Sequence, residues 1–130
     1  MLLKHVALVC SSEKNSDKFY QGLLGLEKKG SKILPRMLSK QIFHIDAEYK
    51  IINYMGNNMH FEIFLGNQDD VTKPRIEHIC LEVDNISEFL KKCHTMDIHT
   101  LQIPKGDDFI TFITDFDGNL FEIKKRISHS

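Results

Sequence analysis

No run of apolar residues in this 130-residue chain approaches the ~18 that a membrane-spanning helix needs, so a membrane span is not expected. The opening MLLKHVALVC lacks the long apolar core and small-residue cleavage site of a secretory signal, which predicts a cytoplasmic chain. Cysteine is scarce: Cys10, Cys80 and Cys93 are odd in number, far apart and without a CxxC. That pattern argues against a disulfide or zinc-finger framework and fits a reducing compartment. Charge of one sign is not in excess either. The formal net charge is −1, with Lys and Arg scattered, so no field steers the chain toward nucleic acid or an anionic membrane. The single basic run, Lys124-Lys125-Arg126, follows directly on Glu122 and reads as a solvated strand end.

What is present is an ordinary globular composition, in one domain able to bury roughly two-thirds of its unfolded surface. It also repeats itself. Lys4-His5-Val6-Ala7-Leu8-Val9 near the start is answered by Glu77-His78-Ile79-Cys80-Leu81-Glu82-Val83 past the middle. Each sets a histidine at the head of a strand-like run, and a helical segment follows each. The two halves also close alike, on His60-Phe61-Glu62-Ile63-Phe64 and on Leu120-Phe121-Glu122-Ile123-Lys124. Agreement in both order and position is more than one chance match would give.

The first half predicts strand 3–10, helix 14–24 stopped by Gly25, a strand near 26–33, and strands around 49–55 and 59–66 joined by Gly56-Asn57-Asn58. The second predicts strand 76–83, helix 86–96 capped from Asp84-Asn85, and strands near 99–103, 109–114 and 119–126, with Asp117-Gly118 turning into the last. Module one thus covers about 1–67 and module two about 75–126, with the joint in the polar stretch 67–74. Residues 33–48 are the least determined. Leu34-Pro35 breaks any regular element, and Gln41 to Ile45 reads as a further strand or a loop.

Strand alternation then sorts side chains by face. Val6, Leu8 and Cys10 form an apolar row, so His5 lies opposite; Ile79, Leu81 and Val83 do the same for His78. Phe61, Ile63 and Leu65 put Glu62 on the far side, and Phe121 with Ile123 does so for Glu122. The apolar rows bury under the two amphipathic helices, which leaves all four polar residues on the helix-free face. If the sheets curve into one half-barrel, that face is concave and the four converge. Two imidazoles and two carboxylates suit one borderline divalent ion, Zn or Ni first, with Mn, Co or Fe as alternatives. Any one of these residues alone would read as a satisfied core or surface group; the repeat is what lifts the set.

At these residues the chain resembles the vicinal-oxygen-chelate superfamily (glyoxalase I, bleomycin resistance proteins, extradiol dioxygenases), and glyoxalase I in particular. The resemblance covers essentially the whole chain. Phe19-Tyr20 with Leu23-Leu24-Gly25-Leu26 is similar to the superfamily's helix-ending pattern. The run Phe112-Ile113-Thr114-Asp115-Phe116-Asp117-Gly118-Asn119-Leu120-Phe121-Glu122-Ile123 is similar to its closing signature, with Phe116 where a proline is common. The resemblance implies a single α+β glyoxalase-like domain over 1–130. Its paired βαβββ modules would form a curved mixed sheet, with the helices on the convex side. It also implies one ligand on the first and last strand of each module, and a homodimer within or across which the modules pair. Val9 stands where glutathione-dependent glyoxalases usually carry an arginine, and their long closing tail is absent, so glutathione dependence is not implied.

The implied activity is that of a metal-dependent lyase or isomerase working through an enediolate on a small molecule with oxygens on adjacent carbons. Glu122 is the first choice for the base that moves a proton on carbon and Glu62 the second. Lys105, Arg36, Tyr49 and Tyr54 are candidate substrate contacts, each of a type that more often serves structure. The Pro104 to Asp108 segment reads equally as a lid or an ordinary hairpin connection, and Cys80 faces the pocket as either an oxidation-sensitive thiol or an inert filler. Three alternatives compete. His5, His78 and Glu122 alone would make the two-histidine, one-carboxylate triad of an iron(II) ring-cleaving dioxygenase. Fosfomycin-inactivating thiol transferases share the fold with three protein ligands. Metal-free drug-binding and resistance proteins lack the ligand set altogether.

Overall fold

The computed structural model describes residues 1–66 and 76–127. The chain divides into two compact units, Met1–Asp70 and Val71–Ser130. The expected joint at 67–74 lies outside the described residues.

In the first unit the strands are β1 (Val6–Cys10), β2 (Glu27–Leu34), β3 (Tyr49–Gly56) and β4 (Met59–Leu65), in the order β1-β4-β3-β2. β1 runs parallel to β4, and the other pairings are antiparallel. Between β1 and β2, α1 (Glu13–Ser16) passes into a π-helical stretch over Asp17–Leu23. Ser12 starts it, its hydroxyl accepting from the Asn15 amide at 3.1 Å, and Gly25 at φ +72° stops it in the left-handed conformation. This segment buries Phe19, Tyr20 and Leu23 on one face of the sheet, where Tyr20 stacks on Tyr54 and tilts against Phe61. The Asn57-Asn58 turn between β3 and β4 has positive φ at both residues, the geometry that suits the twist of a two-residue hairpin.

Residues 33–48 resolve differently from the expected strand or loop. Arg36–Phe43 is a helix, α2, behind Pro35 at its N-cap, and it ends at His44 with φ 60°. Pro35 does break β2, but its fixed φ also suits the entry to a helix. Met, Leu, Lys and Gln then favour helix within it.

The second unit repeats the plan: β5 (Ile79–Val83), α3 (Ile86–Thr95), β6 (Thr100–Lys105), β7 (Asp108–Thr114) and β8 (Leu120–Lys125), in the order β5-β8-β7-β6 with β5 parallel to β8. The Asn85 side chain caps α3 by accepting from the Glu88 amide at 3.0 Å. Leu90 and Cys93 of α3 are buried, as are Ile113, Phe121 and Ile123 of the sheet. Buried Asp115 ties the turn into β8, accepting from the amides of Asp117 and Asn119, both at 2.9 Å, and from the Asn119 side chain at 2.7 Å. Those bonds give the closing signature a physical meaning: they fix where β8, and so Glu122, begins. No helix among the described residues is long and apolar enough to cross a membrane.

Candidate metal centre

The β1/β4 ladder begins at Val6 opposite Phe61, and the β5/β8 ladder at Ile79 opposite Phe121. His5 and His78 therefore each stand one residue before their ladder. Two residues on, Ala7 pairs with Glu62 and Cys80 with Glu122. The histidine-to-glutamate register is the same in both units. Within unit one, His5 Nε2 lies 3.1 Å from Glu62 Oε1, with Glu62 nearly buried. Within unit two, His78 Nε2 lies 3.5 Å from Glu122 Oε1.

These separations and the donor chemistry fit a divalent cation. Ligand atoms roughly 2.1 Å from one ion, set at octahedral to tetrahedral angles, are about 3.0–3.4 Å apart. The His78 Nδ1–H donates to the Ile76 carbonyl at 2.7 Å, so a neutral His78 turns a bare Nε2 lone pair toward Glu122. A lone pair facing a carboxylate is repulsive unless a cation, a proton or a metal ion, lies between them.

The surroundings differ between the pairs. Glu62 Oε2 lies 3.5 Å from Lys32 Nζ, and His60, on the same face of β4, packs edge-on against His5 and sits 2.9 Å from Asn53 Oδ1. Partial burial, and then the neighbouring His5, hold His60 below the ordinary histidine value. Among the described residues Glu122 has only Lys124 at 3.9 Å besides His78, whose ring meets Phe112 edge-on. Strand alternation puts His60, two residues before Glu62, on the Glu62 face. Nothing in the sequence marked Lys32 or Asn53.

Of the expected substrate contacts, Tyr49 is on the Glu62 face, against Phe64. Tyr54 is not: it is fully buried on the opposite face, its hydroxyl donating to Asp17 Oδ1 at 2.7 Å, and burial and Asp17 push its pKa up. It is a core residue because β3 alternates, and Asn53 rather than Tyr54 is paired with Glu62. Arg36 is exposed, 3.6 Å from Asp46. Lys105 is exposed where β6 turns through Gly106-Asp107 into β7, with Lys105 paired to Asp108. That segment is a tight hairpin. Cys80 is opposite Glu122; desolvation and then the Glu122 carboxylate raise its pKa, which keeps it a thiol.

The Glu62 face is also not free of helix, as alternation alone had implied, because Phe43 at the end of α2 packs edge-on against Phe64 at 5.8 Å. Beneath that contact Ala7, Leu8, Val9, Phe43, Ile45, Tyr49 and Phe64 line a cavity of about 170 Å³.

The chain belongs to the Glyoxalase/Bleomycin resistance protein/Dioxygenase superfamily, which it matches over residues 2–123. No curated protein matches it. Among solved structures it is similar to a glyoxalase family protein from Enterococcus faecalis, with TM-score 0.72, 21% identity, and 94% of this chain and 95% of that one covered. It is also similar to a mutant of the fosfomycin resistance protein FosX of Listeria monocytogenes in complex with Mn(II) and 1S,2S-dihydroxypropylphosphonic acid, with TM-score 0.72, 17% identity, and 96% and 92% covered. FosX of Mesorhizobium loti matches with TM-score 0.70, 10% identity, and 96% and 91% covered. At these identities the likeness is one of fold.

Proposed function

We propose that His5, Glu62, His78 and Glu122 hold one divalent ion, and that the protein is a metal-dependent lyase or isomerase for a small molecule with oxygens on adjacent carbons. The observation that carries this reading is the recurrence of one imidazole–carboxylate pair, at ligand spacing and in the same register, in both units. A bound ion supplies Lewis acidity toward the substrate oxygens, worth several kcal/mol of charge stabilisation. The histidines hold position. Glu62 is held between His5 at 3.1 Å and Lys32 at 3.5 Å, whereas Glu122 has looser neighbours at 3.5 and 3.9 Å. Glu122 is therefore the base: its carboxylate takes a proton from one carbon and returns it to the adjacent one. Zn or Ni is the first choice of metal. A homodimer in the cytoplasm completes the reading, in keeping with three scattered cysteines that form no CxxC.

The test is exchange of the carbon-bound hydrogen of an α-hydroxy ketone in D2O, followed by NMR with nickel-loaded protein. Exchange should occur in the parent and fall at least a hundredfold in Glu122→Gln that still carries nickel. Equal exchange in both would reject Glu122 as the base. The FosX structures favour a second reading, that the substrate is fosfomycin itself, since the ligand named with one of them has hydroxyls on adjacent carbons. Consumption of fosfomycin by manganese-loaded protein separates the two.

A further inference from the structure

We propose that the cavity in unit one receives an apolar substituent of the substrate, and that Phe43, Tyr49 and Phe64 set the size it accepts. The proposal rests on the reading of His5 and Glu62 as metal ligands. Continuity is the first argument. Ala7, the register partner of Glu62, lines the cavity, and Phe64 follows Glu62 by two residues on the same face of β4. The cavity thus begins one pleat repeat, about 7 Å along the strand, from Glu62. A molecule with its oxygens at the carboxylate end can extend a carbon substituent into it.

The lining supplies the second argument. Among the described residues it contributes aliphatic and aromatic surface and no charged side chain, unlike the Glu62 end of the same face with His5, His60 and Lys32. At about 170 Å³ it is smaller than the pockets that enclose a whole drug-sized ligand. It is close to an apolar cavity that holds one benzene ring. One wall is accessible: Phe43 and Ile45 at the end of α2 remain 46% and 44% exposed, which leaves a way in. A half-exposed aromatic meeting its neighbour only edge-on gains burial when an apolar group fills the space beside it.

The experiment uses full-length nickel-loaded protein and straight-chain hydroxamic acids from acetohydroxamic to octanohydroxamic acid, which chelate through oxygens on adjacent atoms. Affinity should rise roughly fourfold per added methylene and level off once the cavity is full. Val9→Phe, which fills the cavity, should flatten that rise. Phe43→Ala, at the exposed wall, should move the plateau to longer chains and keeps the test open if the first variant folds poorly. A parent series that binds but stays flat, or one that neither variant alters, overturns the cavity proposal alone. Protein that takes up nickel but binds no hydroxamate overturns this inference and leaves the metal reading standing; protein that takes up no nickel overturns both.

Discussion

Asn53 and Tyr54 are adjacent on β3, yet one faces Glu62 and the other lies in the core under the helix. The pleat makes that division, and it determines what a substitution does. Removing the Tyr54 hydroxyl deletes a hydrogen bond to a carboxylate, so Tyr54→Phe should cost about 1.5 kcal/mol in urea unfolding. The same change should leave metal uptake as it was, because no group on the Glu62 face moves. Loss of metal without loss of stability would place Tyr54 at the site instead. Residue identity was legible for the ligands because a histidine or glutamate in an apolar alternation stands out. Tyr54 was not legible, since an aromatic in a strand gives no sign of which side it occupies until the neighbouring register is fixed.

Among the elements, α2 teaches most. A proline after a strand signals the end of one regular element, and here it also opens the next. α2 is not ideally built: the Ser39 hydroxyl is fully buried and has no hydrogen-bond partner among the described residues. Ser39→Ala should therefore stabilise the protein by about 1 kcal/mol, read from the urea midpoint; a loss of stability would mean that the hydroxyl is satisfied after all. α1 is tied down differently, by Glu13 reaching Lys28 and Lys50, both at 2.8 Å. Those bonds, Lys28 first, lower the Glu13 pKa below its ordinary 4.5. A carboxylate with a depressed folded pKa contributes stability that is present above its unfolded pKa and lost as pH falls through the folded one. The gap in melting temperature between the parent and Glu13→Gln should accordingly be widest near neutrality and narrow below about pH 4.5. A gap independent of pH would show that the triad contributes nothing.

For the whole molecule, duplication is the organising fact. Two four-stranded sheets with the same strand order carry the same pair at the same register, and this was readable because His-at-the-head and Phe-Glu-Ile-at-the-end recur together. The cavity was not readable, since Ala7 and Val9 come from β1, Tyr49 from β3 and Phe43 from a helix the sequence concealed. The homodimer should appear in native mass spectrometry at twice the chain mass of 15.1 kDa. A lone chain with full metal content would instead place the whole site in one copy.

The central claim is that an imidazole and a carboxylate from each unit share one cation. Its most direct measurement is the metal content of protein purified without chelators, for the parent and for Glu62→Gln and His78→Ala. One equivalent per chain in the parent, with affinity weakened at least tenfold by a change in either unit, is the expected result. Metal absent from the parent, or retained at full strength when either residue is lost, would contradict it.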